Sequence, residues 1–237
     1  MSSTILTAAI LAARSELVVQ TADTPALVRE AHCLRHQVYS LERGYLTSHD
    51  GLEVDDYDAH SHHVVLRMHN SGEVIGTARL ILPLPGHDRP GHCSFPMQGV
   101  CDPALFRRLP TRGTAELSRF AVSKERRGLS TAATSLARLA LVRGLVQLSH
   151  RDGVTHLCAT MELTLLRLLR ASGIHFQNMG PVVDYYGPRQ PVFCNIASML
   201  ERMAQEQPAI WNYVTEYGQF TDAGADHDVD IEERRAA

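Results

Sequence analysis

The run Glu116-Leu117-Ser118-Arg119-Phe120-Ala121-Val122 decides the fold, because it sets a carboxylate and a guanidinium inside an otherwise strand-like pattern. A buried charge is costly unless it is paired or used, so Glu116 and Arg119 are candidates for chemistry or for pairing. The basic turn Lys124-Glu125-Arg126-Arg127-Gly128 follows, and a helical period then runs over residues 130–150. This order presents backbone N–H groups to an anion at a helix N-terminus. A ligand that carries phosphate groups fits there.

Length alone leaves one large domain or two small ones open, and we take one domain; the cysteines predict a reducing compartment. The 237 residues are 44% apolar and contain no apolar run long enough to cross a membrane. Five cysteines form no C-x-x-C pair, which is typical of free thiols in a cytoplasmic protein rather than of a disulfide framework or a zinc site. We expect a helical or disordered extension over residues 1–14, a single folded domain over 15–220, and an acidic, disordered tail over 221–237.

The net charge of −3 is unevenly distributed. Residues 107–127 hold seven basic residues and two acidic ones, so one basic region lies on an otherwise acidic protein. Either this region is a solvated loop face, or it docks a small anionic ligand or partner. Nucleic acid is a weaker candidate, because neither a basic helix nor an aromatic cluster accompanies the region.

Hydrophobic periodicity predicts an alternation of strands and helices that forms a mostly antiparallel sheet with helices on both faces. A strand at 16–20 leads to a helix from Pro25 to about Tyr39, capped by Asp23 or Thr24. Residues 42–61 form a long polar connection that is either functional or partly helical. Further strands are expected at 63–68, 74–82, 114–122, 154–161, 176–186 and 191–197, and helices at 103–109, 130–150, 162–172, 198–207 and 208–217.

Several sequence blocks resemble the GNAT N-acyltransferase superfamily, in its autoinducer-synthase-like branch. They are Leu34-Arg35-His36-Gln37-Val38-Tyr39, Glu53-Val54-Asp55-Asp56-Tyr57-Asp58, and Gly76-Thr77-Ala78-Arg79-Leu80 followed by Glu116-Leu117-Ser118-Arg119-Phe120. Four more are similar to the acyltransferases associated with the PEP-CTERM (exosortase) system, relatives of the N-acyl amino acid synthases: Leu41-Glu42-Arg43-Gly44-Tyr45-Leu46, Met161-Glu162-Leu163-Thr164-Leu165-Leu166, Gly173-Ile174-His175-Phe176 and Tyr186-Gly187-Pro188-Arg189-Gln190-Pro191. The resemblance implies a GNAT fold, no permanent cofactor, and an acyl-ACP or acyl-CoA thioester as donor substrate.

Two departures from the family pattern bear on the substrates. Autoinducer synthases carry a Trp in the loop after the first helix, where this chain has Tyr45, and lactone synthesis is therefore less favoured. The family's pyrophosphate loop, [Q/R]-x-x-G-x-[G/A], reads Glu125-Arg126-Arg127-Gly128-Leu129-Ser130 here and keeps one glycine. A thinner phosphate cradle favours acyl carrier protein over free coenzyme A as the donor.

Amide formation from a thioester requires an acceptor for the amine's proton and donors to the oxyanion. Glu116 is the leading candidate for the proton acceptor, directly or through a water; the alternatives are an ion pair with Arg79 or Arg119, and solvent exposure. In an unbulged strand Glu116 and Arg119 point to opposite faces, because their spacing is odd. A β-bulge between them would bring both to one face. We expect the oxyanion donor among the backbone N–H groups of residues 120–122, where this strand separates from residues 157–161.

The resemblance also implies an acceptor-side group made of Arg35, Asp55, Asp58 and Arg79. An amino acid offers a carboxylate that an arginine can bind in bidentate fashion. It also offers an amine that Asp55 or Asp58 could orient. The alternative is that Arg35 pairs with Asp55 or Asp58 only to order residues 42–61, with no catalytic meaning.

Two other chemistries are disfavoured by the sequence. His60, His62 and His63 suggest a metal, but adjacent strand residues face opposite ways and no partner spacing is evident. Ser118 lacks the G-x-S-x-G elbow of a nucleophilic serine. We therefore expect neither a metal nor an acyl-enzyme.

The sequence predicts an acyltransferase that moves a long-chain fatty acyl group from an ACP or CoA thioester to the amine of an amino acid or similar small molecule. The alternatives are an acyl-homoserine-lactone synthase and a non-catalytic acyl-carrier or acyl-lipid binding module. The expected catalytic residues are Glu116, Arg119 and Arg79. The expected substrate-binding residues are Arg35, Tyr39, Asp55, Asp58, Ser118, Phe120 and Val122, and the expected donor-docking residues are Lys124, Arg126, Arg127, Gly128 and Ser130.

Overall fold

The structure is a computed structural model. It describes residue 10 and residues 15–47, 50–84, 94–110, 112–125 and 131–221, with the backbone alone for 131–135. Most of the expected N-terminal extension, the acidic tail beyond residue 221, and the donor-docking residues Arg126, Arg127, Gly128 and Ser130 lie outside these ranges.

The chain alternates strands and helices much as its periodicity predicts. Strand β1 (Leu17–Thr21) leads into helix α1 (Pro25–His36), whose N-cap Thr24 accepts a hydrogen bond at its hydroxyl from the Leu27 N–H. A π-helical turn (Gln37–Glu42) prolongs α1, and a 3-10 turn (Asp56–His60) lies in the polar connection that follows. The other elements are β2 (Ser61–Met68), β3 (Val74–Ile81), a 3-10 turn (Pro96–Gly99), α2 (Pro103–Phe106), β4 (Thr114–Val122), α3 (Thr131–Arg151), β5 (His156–Glu162), α4 (Leu163–Ala171), β6 (Gln177–Asn178), β7 (Val183–Asp184), β8 (Pro188–Asn195), α5 (Ile196–Glu206) and α6 (Pro208–Val214).

The eight strands form one sheet in the order β1-β2-β3-β4-β5-β8-β6, and β7 also pairs with β8. Every pair is antiparallel except β4 with β5, which is parallel. The expected strand at 176–186 is wrong: Gly180, at a φ of 101°, and Pro181 interrupt it, leaving the two-residue strands β6 and β7. In the part of the chain that the structure describes, no helix is long and apolar enough to span a membrane.

Helices cover both faces of the sheet, as predicted. Helix α1 packs its buried face, which includes Ala31 and Leu34, on β2 and β3. The other face is covered by α3, α4, α5 and α6, which bury the larger apolar core. Helix α3 approaches the sheet closely at Gly144, where an added Cβ would lie 2.4 Å from Val64 Cγ1 and 2.6 Å from Val19 Cγ2.

Strand β4 contains a β-bulge at Arg119. Its register against β3 moves from Thr77 opposite Ala121 to Arg79 opposite Ser118, so β4 has one more residue than β3 over this stretch. Arg119 adopts a φ of 51°, in the left-handed region that non-glycine residues seldom occupy. The extra residue changes the alternation of side chains. Ser118 and Arg119 therefore share one face with Glu116.

Strands β4 and β5 separate soon after they meet. Their parallel pairing covers three positions and ends where Glu116 lies opposite Cys158. Beyond Glu116, the edge of β4 that faces β5 has no strand partner among the described residues. The two strands thus open a cleft whose apex lies at Glu116.

Candidate active site

An open cavity occupies the cleft between β4 and β5. Its lining includes seven residues that the sequence singled out: Tyr39, Glu116, Ser118, Arg119, Phe120, Val122 and Lys124. The sequence assigned no role to several others, among them Arg43, Tyr45, Arg138, Thr160, Glu162, Tyr186 and Arg189. The cavity thus brings together β4, the segment after α1, the end of β5 and the start of β8.

Glu116 is a buried carboxyl group without a cationic partner. Its residue is 3% exposed, and its Oε2 accepts a hydrogen bond from the Met97 N–H at 2.9 Å. Burial raises the pKa of Glu116 to about 8, and the Met97 N–H and the charges of Arg79 and Arg119 only partly oppose this. Within the described ranges no arginine, lysine or histidine forms an ion pair with Glu116. The alternatives of an ion pair and of solvent exposure therefore do not match the geometry.

Three arginines and three carboxylates form a buried cluster on the same face as Glu116. We call it the core ion network; its members are Arg35, Arg79, Arg119, Glu53, Asp55 and Asp58. Arg79, fully buried, donates from Nη1 and Nη2 to the two oxygens of Asp55 at 2.6 and 3.0 Å. Its Nη1 also lies 2.7 Å from Asp58 Oδ1, and its Nε donates to Ser118 Oγ at 3.0 Å.

Glu53 connects the other two arginines of the network. Arg35, also fully buried, donates to Glu53 and to both oxygens of Asp58, at 2.6 and 3.1 Å. Arg119 donates from Nη2 to Glu53 at 2.8 Å and to Asp55 at 2.9 Å. The sequence identified Glu53 only as one of several acids in the loop. Its bridging position depends on contacts 18 and 66 residues away, which periodicity does not reveal.

The network holds its charges over a wide pH range. Burial alone would raise the pKa of Glu53, but Arg119 and Arg35 outweigh it and hold that pKa at about 2. The pKa of Asp58 also lies well below its usual range: burial opposes this, and contacts with His32 and Arg35 and the charge of Arg79 outweigh it. Burial would lower the pKa of Arg119, yet Glu53 raises it above its ordinary value.

The expectation that Arg35, Arg79, Asp55 and Asp58 touch the acceptor stays a prediction, and the structure places all four outside the cavity lining. None of the four lines the cavity, because their charged groups are engaged with one another. The pairing of Arg35 with Asp58 matches the alternative in which it orders the loop. Arg35 does not contact Asp55, which instead caps the 3-10 turn by accepting from the Tyr57 N–H.

Arg119 is the member of the network that reaches the cavity. It is 20% exposed at its side chain, and its Cζ lies 5.6 Å from the centre of the Tyr39 ring, a cation–π contact. Ser118, held by Arg79, lies beside it on the cavity wall. The network thus fixes one wall of the cavity through Arg119 and Ser118.

A second charged cluster lies further along the cavity. We call it the mouth cluster; it contains Arg43, Glu162 and Arg189 with Tyr45 and Tyr186. Arg43 Nη1 and Arg189 Nη1 both contact Glu162 Oε1, the latter at 3.1 Å. Their guanidinium carbons lie 5.6 and 5.9 Å from the centre of the Tyr45 ring, on which Tyr186 stacks at 6.1 Å. The residues of the mouth cluster lie in the sequence blocks 41–46, 161–166 and 186–191. These blocks carried the family resemblance, but the sequence assigned them no role in the site.

The histidines do not form a convincing metal site. His60 contacts the Ser94 carbonyl and His62 contacts Asp152, whereas His63 is buried beside Asp58. His32, Asp58 and His63 bring three possible ligand atoms within 4.8 Å of one another. However, Asp58 Oδ1 already accepts from Arg35 and Arg79, whose charges oppose a further cation. Burial first, and then the charge of Arg35, lower the pKa of His63 to about 3.

The sequence and the fold were compared with known proteins. Residues 34–137 match the family model of the acetyltransferase (GNAT) domain. No curated protein matches the sequence. TofI, in a ternary complex with an inhibitor and MTA, is similar in structure at a TM-score of 0.59 and 25% identity, over 82% of this chain and 99% of TofI.

Two further solved structures have a similar fold. BjaI, a CoA-dependent acyl-homoserine lactone synthase solved with SAM and isopentyl-CoA, gives a TM-score of 0.58 at 22% identity, over 80% of this chain and 88% of its own. FeeM, an N-acyl amino acid synthase from uncultured soil microbes, gives 0.59 at 14% identity, over 81% and 96%. These similar folds confirm the predicted α/β GNAT fold. The family match over residues 34–137 supports an acyltransferase.

Proposed function

We propose that the protein is an N-acyltransferase that moves a long-chain acyl group from a thioester to the amine of an amino acid or similar small molecule. One observation carries the proposal: a buried, unpaired carboxyl group, Glu116, lies at the apex of the cleft with its pKa raised to about 8. A general base works best when its pKa is near the operating pH. Carboxylates whose pKa is strongly raised by burial in a cavity are candidates for catalysis.

In the proposed mechanism, ionised Glu116 takes a proton from the acceptor's ammonium group, directly or through a water. The neutral amine then attacks the thioester carbonyl carbon, and the carbonyl oxygen becomes an oxyanion. The tetrahedral intermediate collapses with cleavage of the carbon–sulfur bond, and the amide nitrogen loses its second proton. The thiolate leaves as a thiol after it receives a proton from the Glu116 carboxylic acid. Glu116 accepts the second proton, which it later releases to water.

The oxyanion is assigned to backbone N–H groups of residues 120–122. Phe120 and Val122 line the cavity, and the edge of β4 that faces β5 has no strand partner there among the described residues. Backbone donors that are held rigidly cost little reorganisation when charge develops. Arg119 and Ser118 flank the same segment, with Tyr39 against Arg119, and we assign these three to substrate positioning. Other members of the core ion network, which do not line the cavity, hold this wall in place: Arg79, Arg35, Asp55 and Asp58.

The donor is proposed to dock where β4 meets α3. Lys124 and Arg138 line the cavity on this side, and the basic turn with Arg126, Arg127, Gly128 and Ser130 follows Lys124 in the sequence. The single glycine of that turn favours acyl carrier protein as the donor. We further propose that the acyltransferase domain spans residues 15–220. The proposal also includes a cytoplasmic location and a link to the exosortase system.

Acyl-homoserine-lactone synthesis is the second candidate, because BjaI and this chain have similar folds. Autoinducer synthases are expected to contact their methionine-derived nucleotide substrate through a Trp. Tyr45 stands in place of that Trp here and favours a different acceptor. Lactones and open N-acyl amino acids differ in mass, so mass spectrometry of lipids from an expressing host separates the two. The alternative that involves no catalysis is a module that binds an acyl carrier or an acyl lipid.

The decisive experiment measures thiol release and product mass with the purified protein, dodecanoyl-ACP or dodecanoyl-CoA, and a panel of amines. The expected result is an N-acyl product whose formation needs Glu116. An unchanged rate in Glu116→Gln would remove Glu116 as the base. Thioester binding without turnover of any acceptor would instead favour the binding module.

A further inference from the structure

Arg119 has unused N–H donors at the cavity wall. Its Nε and Nη2 donate to Glu53 and Asp55, whereas its Nη1 has no hydrogen-bond partner within the ranges that the structure describes. Arg35 and Arg79 differ, because every guanidinium nitrogen of these two residues donates to a neighbouring side chain. A terminal guanidinium nitrogen carries two N–H groups. Arg119 therefore offers two donors to an oxygen atom in the cavity that it lines.

Tyr185 approaches Arg119 from the opposite wall of the cavity. It lies in the turn between β7 and β8, where its N–H donates to the Gly187 carbonyl, and it lines the cavity. Burial raises the pKa of Tyr185, while the charge of Arg119 lowers it and the carboxyl group of Glu116 raises it. The phenol thus lies close enough to interact with both groups. Its hydroxyl has no hydrogen-bond partner in the part of the chain that the structure describes.

A third polar group of the cavity also lacks a partner. The Thr160 Oγ1 atom is buried on β5 and has no hydrogen bond to any described residue. Buried polar groups in proteins are nearly always hydrogen-bonded, to protein or to another molecule. Three unpaired groups that line one cavity therefore point to a polar ligand.

The spacing of Glu116 and Arg119 matches a short ligand with two opposite charges. The β-bulge brings both side chains to one face, and three strand positions cover at most about 10 Å. In an α-amino acid the nitrogen lies about 3 Å from the carboxylate oxygens, because two bonds of about 1.5 Å join the nitrogen to the carboxyl carbon. Hydrogen bonds of about 2.9 Å at each end extend this span to about 9 Å.

The mouth cluster lies too far from Glu116 to take part in the same contact. Arg43 and Arg189 meet at Glu162, four strand positions beyond Cys158, which is the register partner of Glu116. Four positions correspond to about 13 Å. An α-amino acid whose amine lies at Glu116 cannot extend its carboxylate to that cluster.

We infer that Arg119 Nη1 and the Tyr185 hydroxyl bind the carboxylate of the acceptor while its amine faces Glu116, so that the acceptor is an α-amino acid. The inference rests on the proposed N-acyltransferase function. An amino acid zwitterion adds no net charge to the site. Its ammonium group gives Glu116 the cationic partner that the described side chains do not supply, and its carboxylate accepts from the spare donors. A simple amine leaves those donors unused.

The test compares the twenty common L-amino acids with their α-methyl esters, using dodecanoyl-CoA and dodecanoyl-ACP as donors and mass spectrometry of the products. Esterification removes the carboxylate charge and makes the amine less basic, so a slower ester reaction is not explained by a protonated amine. We expect kcat/KM for the esters to be lower by about tenfold or more. Tyr185→Phe removes one hydroxyl and keeps the ring. It should raise the KM for the acid by about tenfold and leave the ester reaction unchanged.

Two more variants sharpen the comparison. Arg119→Lys keeps a positive charge but loses the fork of donors, and it should reduce the preference for acid over ester. Damage to the cavity wall alone would slow both substrates and leave that ratio unchanged. Tyr217→Phe is the matched control, because Tyr217 is 70% exposed and does not line the cavity. It should leave both reactions unchanged.

An acceptor with more widely separated charges tests the spacing. The ω-amino acid 6-aminohexanoate has an amine and a carboxylate at opposite ends of a five-carbon chain. It should react no faster than hexylamine, which has no carboxylate. If it reacted faster than every α-amino acid, the carboxylate would be bound further from Glu116, and the inference would be wrong.

Three other outcomes would overturn the inference. Equal rates with acids and esters would leave the N-acyltransferase function standing and remove the carboxylate site. A kcat that falls equally for acid and ester in Tyr185→Phe, with KM unchanged, would give Tyr185 a part in proton transfer instead. Absence of turnover with every acceptor would reject the proposed function. Calorimetry with N-dodecanoyl-L-phenylalanine and its methyl ester would then decide: equal affinities exclude the carboxylate site, and a preference for the acid that Tyr185→Phe abolishes supports it.

Discussion

The core ion network and Glu116 lie on the same face of the sheet, yet their carboxyl groups titrate in opposite directions. In the network, arginines surround Glu53 and Asp58 and keep the pKa of each below its ordinary value. Glu116 is also buried, but its direct partner is the Met97 N–H, and its pKa rises to about 8. Burial alone therefore does not distinguish a structural carboxylate from a catalytic one. The difference is whether a cation is within contact distance.

Breaking the network should have the largest effect on the free energy of unfolding. Asp58→Asn removes a partner of Arg35 and Arg79 while keeping the shape of the side chain. Loss of one member of a buried ion pair costs about 3 to 5 kcal/mol, because a charge is left unpaired in the interior. Urea denaturation measures the loss. The exposed pair of Arg202 with Glu206 is the control, and Arg202→Gln should cost less than about 1 kcal/mol.

If Asp58→Asn lowered the free energy of unfolding by less than about 1 kcal/mol, the contrast between the core ion network and Glu116 would be contradicted. It would mean that water reaches the network in solution and screens its charges, and that the network does not hold the cavity wall.

Removing the unpaired carboxyl group should lower the catalytic rate and leave the fold intact. Glu116→Gln keeps a group that accepts from the Met97 N–H but cannot take a proton. We expect kcat/KM to fall by about 10²- to 10⁴-fold, the usual contribution of a general base. Single-turnover assays measure the rate, and circular dichroism checks the fold. Glu201→Gln, at an exposed site on α5, is the matched control and should keep full activity.

Glu116 and the core ion network should make the free energy of unfolding depend on pH in opposite directions. Folded Glu116 holds its proton more tightly than unfolded Glu116, so its contribution favours the folded state at low pH and is lost as pH rises from about 4.3 through about 8. Glu53 behaves in the opposite way: its contribution is present above its unfolded pKa and is lost as pH falls towards about 2.

The measurement is urea denaturation of the wild type, Glu116→Gln and Glu53→Gln between pH 3 and 9. Between pH 5 and 9 the stability of Glu116→Gln relative to the wild type should increase by a few kcal/mol, on the order of 1.4 kcal/mol per unit of pKa shift. The deficit of Glu53→Gln should shrink on acidification. The wild-type rate should rise with pH until about 8 and then level. Parallel pH curves for all three proteins would show that neither carboxyl group is perturbed in solution.

The sequence predicted β4 because charges in an apolar run are rare and the flanking turns are clear. It also selected Glu116, since a carboxylate in such a strand needs a reason. Its partner Met97 could not be foreseen, because Met97 lies in a Pro- and Gly-rich segment without periodicity. That Arg35 and Asp58 pair with each other and do not line the cavity could not be foreseen for a related reason. A list of charges does not say which of them satisfy one another.

The mouth cluster was visible in the sequence only as unexplained motif blocks. Arg43, Glu162 and Arg189 are separated by 119 and 27 positions, and no pattern of spacing connects them. The fold brings them together because Glu162 and Arg189 are register partners on β5 and β8. Long-range pairing of this kind needs the sheet order, which the periodicity of single elements does not give.

The smallest effect on the free energy of unfolding should come from the β-bulge at Arg119, which lies between the core ion network and Glu116. Arg119 holds its network contacts at a φ of 51°, so its backbone is strained while its side chain is paired. Arg119→Ala and Arg119→Gly both remove the contacts with Glu53 and Asp55, but only glycine relieves the strain. The glycine variant should therefore be the more stable of the two by about 1 kcal/mol, as measured by urea denaturation. If alanine were equal or better, Arg119 would adopt ordinary strand geometry, and Arg119 and Glu116 would return to opposite faces.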